Sequence, residues 1–339
     1  MLSPIAWRTP PRDYGPWERI TSLLTEELIK EGLEVTLFAT KESQTKGKLE
    51  AVCPKGYEED KRINPKVWEC LHLANCFEKA SHFDIIHNQF DFLPLSYSKL
   101  ISTPLMTTIH GFSSPGILPV YKKYNNHVYY VSISNADRVR ELDYIATVYH
   151  GIDIKKFSYI ENPSSDYLLF YGRFHHDKGA KEAIQIAKQA NKKLIMAGII
   201  QDENYFNKHI KPNLDNNIQY IGTIGPEKRN KILGNALALL HPINFAEPFG
   251  LSVIEAMACG TPVIAFNKGS MPELLTDKTN GFLVNTIKEA VSAVSKLHTL
   301  DRTQCRKNVV DNFTSKKMAK EYIKIYQKIL KQKKGKKNE

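Results

Sequence analysis

Residues 238–266, ALLHPINFAEPFGLSVIEAMACGTPVIAF, decide the fold. Ala238–His241 and Pro262–Phe266 are short apolar runs of strand type, and Leu251–Cys259 between them repeats its apolar residues at helical spacing. Pro248 stops that helix from running backward through Glu247, Phe249 and Gly250 form a turn, and Gly260 closes the helix. Strand, helix and strand in so short a stretch form a crossover unit, the element from which parallel sheets are built.

The same alternation extends outward in both directions. Further strands are expected at Val35–Ala39, Asp84–His87, Leu105–Ile109 and Val128–Ser132 in the first half, and at Tyr167–Tyr171, Lys193–Ala197 and Ile218–Ile221 in the second. Helical patterns at Ile287–His298 and from Lys316 onward close the chain. The stretch Gly151–Asp166 carries Gly, Asn, Pro and paired Ser without periodicity, which marks it as a linker. The expected fold is therefore α/β, with two doubly wound, Rossmann-like domains facing across a cleft that holds the site. Their spans are 1–155 and 156–314, followed at 315–339 by a helix packing back on the first domain and a basic tail. Only Met1–Ala6 precedes the loop Thr9–Pro16, so the first strand reads as clipped, with the natural start expected a few codons upstream.

A length of 339 residues suits two domains, because single cores stop growing near ~250 to 300 residues. The net charge of +11 is concentrated at the end: ten lysines stand against Glu321 and Glu339 from Ser315 on. With Ile323, Ile325, Tyr326, Ile329 and Leu330 as an apolar stripe, this segment reads as a solvated tail or as a contact for an anionic membrane surface. No basic stripe interleaves with Phe112, Tyr129 and Tyr130, so nucleic acid is not an expected partner. Cys53, Cys70, Cys76, Cys259 and Cys305 show neither C-x-x-C nor zinc-ligand spacing and read as free thiols of a reducing cytosol. No apolar run approaches the ~20 residues of a membrane span, so a cytoplasmic protein, soluble or peripheral to a membrane, is expected.

Two clusters carry chemistry. In the first, Glu247 lies in the loop ahead of a helix and Glu255 one turn inside it, with Phe249-Gly250-Leu251 between. A helix start offers unpaired N–H groups and a positive dipole end, so Phe249–Ser252 is a cradle for a diphosphate, with the carboxylates accepting from hydroxyls on either side. In the second, Gly172-Arg173-Phe174-His175-His176-Asp177-Lys178-Gly179 follows an expected strand. Ligands of open parallel sheets bind at such strand ends, where Arg173 and Lys178 would stabilise the charge growing on a leaving diphosphate. No D-x-D pair is available to hold a metal there. His175 and His176 are adjacent on a short turn and are expected to point apart, so no metal site is assigned. In the first half, His110 ends an expected strand, and Gly15 precedes a helix that opens with Pro16-Trp17-Glu18.

These residues resemble glycosyltransferase family 4, retaining enzymes of the B fold. The resemblance covers nearly the whole chain and is strongest from Tyr171 to Val284. Its most specific part is the E-x7-E element, Glu247 and Glu255, continued by EAMACGTPVIA; Arg173 and Lys178 in a G-R-x4-K-G element support it independently. The resemblance implies that Arg173 and Lys178 bind the donor diphosphate, that Glu255 takes the ribose hydroxyls, and that Glu247 and His110 contact the transferred sugar. It further implies donor contacts at Gly15, Gly172, Ile221, Phe249, Gly250 and Leu251, no cofactor beyond a UDP- or GDP-sugar co-substrate, and no metal. The acceptor is left open between a glycan, a lipid-linked sugar and a small molecule, with Thr9–Tyr14 and Gly111–Tyr124 as the loops that would read it. The chain departs from the family twice: Pro16 replaces the second glycine of the N-terminal pair and removes an N–H, and Ser270 follows Gly269 where the family has Gly-Gly, keeping its N–H and adding a hydroxyl. An epimerase shares the fold and donor. A dinucleotide-dependent dehydrogenase is excluded by the lack of any G-x-G-x-x-G. A non-enzymatic surface binder would rest on the lysine tail alone.

Overall fold

The computed structural model describes residues 1–112 and 115–335. The chain divides into two compact units, Met1–Gly151 with the helix that starts at Ser315, and Ile152–Thr314. The division falls at the start of the expected linker, four residues ahead of the expected domain boundary at 155/156.

In the first unit the strands are β1 (Thr36–Phe38), β2 (Lys48–Glu50), β3 (Ile86–Asn88), β4 (Leu105–Ile109), β5 (Val128–Ser132) and β6 (Tyr144–Thr147). β1 pairs with β2, and β3 to β6 form a second parallel run in that order. Leu2 joins the two, forming parallel bridges to both Phe38 and Asn88. Its N–H donates to the His87 carbonyl at 2.9 Å and its own carbonyl accepts from Gln89 N–H at 2.9 Å. The first strand is thus very short, yet it occupies the centre of the sheet. Counted with it, the strands run third, second, first, fourth, fifth, sixth and seventh, the doubly wound order with its reversal beside Leu2.

The second unit carries β7 (Tyr167–Tyr171), β8 (Lys193–Ala197), β9 (Ile218–Tyr220), β10 (Ala238–His241), β11 (Val263–Phe266) and β12 (Gly281–Val284). The sheet order is β12-β11-β10-β7-β8-β9, and its strands pair in parallel. This is the same doubly wound order, and the reversal lies between β7 and β10. β10 and β11 are buried along their whole length, as strands covered on both faces must be.

Strands β4, β5, β7, β8 and β10 have the expected bounds. β2, β6 and β12 were not foreseen, and all three lie at sheet edges. β2 and β6 are only half-buried; β2, Lys48–Glu50, has no apolar run, whereas β6 carries Tyr144, Ile145 and Ala146 and was missed despite it. β12 opens with Gly281, where a Cβ would meet the Val263 carbonyl oxygen at 2.4 Å.

The helix Ser315–Gly335 packs against the helix Pro16–Lys30 of the first unit. Met318, Ala319, Tyr322, Ile325, Tyr326 and Ile329 are buried there. Of the stripe read as a possible lipid-facing surface, Ile325, Tyr326 and Ile329 are spent on the protein core while Ile323 and Leu330 stay partly exposed, and Lys316, Lys320, Lys324 and Lys328 lie on the exposed face. No helix among the described residues is long and apolar enough to cross a membrane. Ser113 and Ser114 of the expected acceptor loop, and Lys336–Glu339 of the tail, lie outside the described residues.

Candidate functional site

Reversal of strand order between β7 and β10 brings together the two clusters read from the sequence. Beyond β7, Gly172 N–H donates to the Ala197 carbonyl at 3.0 Å and Phe174 N–H to that of Ile199 at 2.8 Å. The Phe174 ring is wholly buried against Phe170, Phe206 and Tyr220, which anchors the loop. Beyond β10, Asn244 N–H donates to the Asp177 carbonyl at 2.7 Å, and its amide nitrogen to that of His176 at 3.1 Å. Gly179 makes this approach possible: at φ 73° it sits where an added Cβ would lie 1.9 Å from the Pro242 carbonyl oxygen.

Within this frame Lys178 Nζ forms an ion pair with Glu247 Oε2. The ammonium also lies 4.7 Å from the centre of the Phe245 ring. Burial pulls the Lys178 pKa below the ordinary lysine range, with Glu247 opposing and neighbouring Arg173 adding to the depression. For Glu247, burial favours the neutral acid, but His241 and Lys178 outweigh it and hold the carboxyl at about 2. His241 Nε2 stands 3.7 Å from Glu247 Oε2. Arg173 donates to Gln201 Oε1. The pair read as one phosphate ligand and one sugar ligand is thus preassembled as an ion pair.

The helix Leu251–Ala258 starts at Gly250, φ 106°, with no side chain capping it. Its other end closes through Gly260 in a left-handed conformation, with Thr261 N–H reaching back to the Ala256 carbonyl at 3.0 Å. Phe249 is buried, and its carbonyl accepts from Ser270 Oγ at 2.5 Å while Ser270 N–H donates to the Glu247 carbonyl at 2.9 Å. Both polar groups of Ser270, expected to remain on offer to a ligand, are instead fastened to the Glu247–Phe249 loop. Glu255 is buried in the second turn, with Arg229 Nη1 at 3.7 Å. Ile221, just past β9, keeps 39% of its surface exposed.

In the first unit, Gly15 caps the helix Pro16–Lys30 at φ 139°. Its Cβ direction is closed by Pro11, Glu18 and Trp7. Glu18 is buried in the first turn, where its carboxyl accepts from Trp7 N–H at 3.2 Å. Burial raises that carboxyl to about 7, with backbone N–H groups opposing. With Pro16 lacking an N–H and Glu18 drawing on nearby donors, this helix start is a poorer phosphate cradle than the one at Gly250. His110, past the end of β4, is buried; Gln89 Oε1 accepts from its Nε2 at 2.5 Å, and Trp17 stacks on it at 5.3 Å. Gln89, His150 and His241 were not singled out from sequence, since a lone Gln or His at a strand end carries no spacing signal.

His175, His176 and Asp177 bring three donor atoms within 4.8 Å, the one such group of His, Cys, Asp and Glu among the described residues. The two imidazoles do not point apart as expected: their centres are 4.3 Å apart, and His175 Nδ1 meets Asp177.

Known proteins resemble this chain in sequence and fold. The family model of glycosyl transferases group 1 matches residues 151–312, and that of glycosyltransferase family 4 matches residues 18–156. An alpha-1,3/1,6-mannosyltransferase of Dictyostelium discoideum is 30% identical over 132 residues, 39% of this chain and 27% of its own length. Sucrose-phosphate synthase from Thermosynechococcus elongatus superposes with a TM-score of 0.78 at 19% identity, covering 97% of this chain and 98% of its own. The HepE protein of Anabaena, solved in complex with UDP-glucose, does so with a TM-score of 0.71 at 16% identity, over 96% and 98% of the two chains. The chain spans less than half the length of the first curated relatives it matches. The two family models meet where the two units divide, and the chain belongs to the family 4-like glycosyltransferases of the B fold.

Proposed function

We propose that the protein transfers a hexose from a UDP- or GDP-sugar to an acceptor hydroxyl, with retention of anomeric configuration and without a metal. The observation that carries this reading is the preassembled group at the β7/β10 reversal: Lys178 paired to Glu247, Arg173 close enough to depress Lys178, and an uncapped helix start three residues beyond Glu247. A diphosphate arriving here would replace Glu247 as the counter-ion of Lys178, which frees the carboxylate to accept from a sugar hydroxyl. As the bond from the anomeric carbon to the diphosphate breaks, the leaving oxygen takes the acceptor's proton, and the new glycosidic bond forms on the same face. Arg173, Lys178 and the Gly250 N-terminus then stabilise the developing charge. Glu247 orients the donor without attacking it.

In the same reading Glu255 takes the ribose hydroxyls, Ile221 flanks the nucleoside, and Gly172, Phe249, Gly250 and Leu251 border the phosphates and sugar. His110 is assigned to the transferred sugar and Gly15 to the donor phosphates. The mannosyltransferase relative and the UDP-glucose complex of HepE support a nucleotide-sugar donor. The acceptor is a glycan, a lipid-linked sugar or a small molecule.

A panel of nucleotide sugars tested for thermal stabilisation checks the donor. A true donor at 100 times its Kd adds roughly 2.7 kcal/mol. Arg173→Ala and Lys178→Ala should each lose most of that gain, and wild-type donor binding by both would overturn the phosphate assignment. The configuration of the product, read by NMR, tests retention, and turnover in a chelator tests metal independence. Conversion of the donor with no acceptor present would assign an epimerase instead.

A further inference from the structure

A continuous polar chain runs through the core of the first unit from His110 to the C-terminal helix. His110 Nε2 meets Gln89 Oε1 at 2.5 Å, and Gln89 Nε2 meets His87 Nε2 at 2.8 Å. His87 Nδ1 then meets the Tyr326 hydroxyl at 2.7 Å, across 239 residues of sequence. A branch passes from His87 Nε2 through Thr108 Oγ1 at 2.7 Å to the Tyr322 hydroxyl at 2.8 Å. On its other side His110 Nδ1 meets His150 Nε2 at 3.2 Å. All of these residues are buried. Burial lowers the imidazole of His110 to about 3 and those of His87 and His150 well below the usual range, so all three rings are neutral near pH 7.

A neutral imidazole has one N–H and one acceptor nitrogen, and an amide has a donor end and an acceptor end. The chain is therefore directional. With the Gln89 carbonyl on His110, His110 must donate from Nε2 and accept at Nδ1 from His150. The Gln89 NH₂ then donates to His87 Nε2, which also faces the Thr108 hydroxyl, and His87 must carry its proton on Nδ1 and give it to Tyr326. Gln89 Nε2 also lies 3.4 Å from His87 Nδ1, and turning the Gln89 amide over would put the His110 proton on Nδ1.

We infer that Gln89 and Tyr326 are positioning residues that hold His110 in the Nε2–H tautomer, so that both its ring nitrogens are committed to the protein and it meets a sugar as a neutral, non-basic wall. This inference rests on the proposed transferase reading only for its effect on turnover; the tautomer is measurable without it.

The test is two-bond ¹H–¹⁵N correlation of the histidine rings in the full chain, with His110 assigned from the resonance lost in His110→Asn. Wild type should show the Nε2–H form of His110. Tyr326→Phe, which keeps the ring and removes only the hydroxyl, should move His110 toward the Nδ1–H form, and Gln89→Leu should leave it a mixture. In turnover, both variants should lose kcat, by about 10²-fold for Gln89→Leu, as expected of a misplaced site group, while donor-induced thermal stabilisation stays as in wild type. An Nδ1–H or charged His110 in wild type, or a tautomer indifferent to both substitutions, overturns the inference. A tautomer that shifts as expected with no nucleotide sugar turned over sinks the transferase reading alone.

Discussion

The two sheets share one strand order, but the C-terminal edges of their central strands carry different chemistry. In the second unit that edge is charged: Lys178, Glu247 and Arg173 meet in loops locked by Asn244 and Gly179. In the first unit it is neutral: His110, Gln89, His87 and His150 exchange hydrogen bonds among stacked aromatic rings. A charge held by one counter-ion can be handed to an incoming anion, whereas a neutral chain with every partner assigned can only shape and orient. Under the proposed function one topology thus serves a binding edge and a bracing edge, and the distinction lies in the loops.

The largest effect expected from breaking this contrast is on the charged side. Lys178→Ala removes a cation from the leaving group and leaves Glu247 buried without its ammonium, so kcat should fall about 10²- to 10³-fold in a coupled assay of nucleoside-diphosphate release. Next comes the lock beneath it. Gly179→Ala places a Cβ 1.9 Å from the Pro242 carbonyl oxygen, at a φ of 73°. The variant should lose at least ~1–3 kcal/mol in denaturant unfolding, with the loss confined to the second unit.

Acid should separate the two edges. His72, His87, His110 and His150 have folded pKa values below the unfolded 6.5, so the stability they confer is present above that pH and is lost as pH falls toward about 4 for His72 and about 3 for His110. Glu247 is depressed from 4.5 to about 2, and its contribution is lost only over that lower window. Glu18, raised to about 7, works in the opposite sense: its contribution is full below 4.5 and is lost as pH rises through 7. One such group does not cancel four histidines. Trp7, Trp17 and Trp68 all lie in the first unit, so tryptophan fluorescence should report acid unfolding at a higher pH than far-UV circular dichroism, which sees both units. Coincident transitions would refute the contrast.

The smallest effect is at the end of the chain. Removing Lys331–Glu339 spares every buried residue of the last helix and should leave turnover unchanged. Any affinity for vesicles rich in anionic lipid should fall with the lost lysines and weaken in salt, because Ile325, Tyr326 and Ile329 of the apolar stripe are already covered.

Central strands and the charged site were readable because their signals are local. Leu239, Leu240, Val263 and Ile264 are apolar without interruption since both faces of their strands are covered. The Glu247 to Glu255 spacing is set by one loop and two turns of one helix. Edge strands β2 and β6 lack that burial, and β12 is short and opens with a glycine. The fate of Ser270 depended on which carbonyls lay within its reach, and that of the stripe at Tyr322 and Ile325 on what covered it.

By itself, the sequence determined the alternation of strand and helix, a linker from Gly151 on, and the two residue clusters that meet at the β7/β10 reversal, because periodicity and short-range spacing are properties of neighbouring residues. Only the tertiary structure decided that Lys178 and Glu247 form a pair, that the last helix packs its apolar face on the first unit, and that His110 is wired to Tyr326. Each of these contacts joins segments far apart along the chain, through strand order and close packing, and no local pattern encodes them.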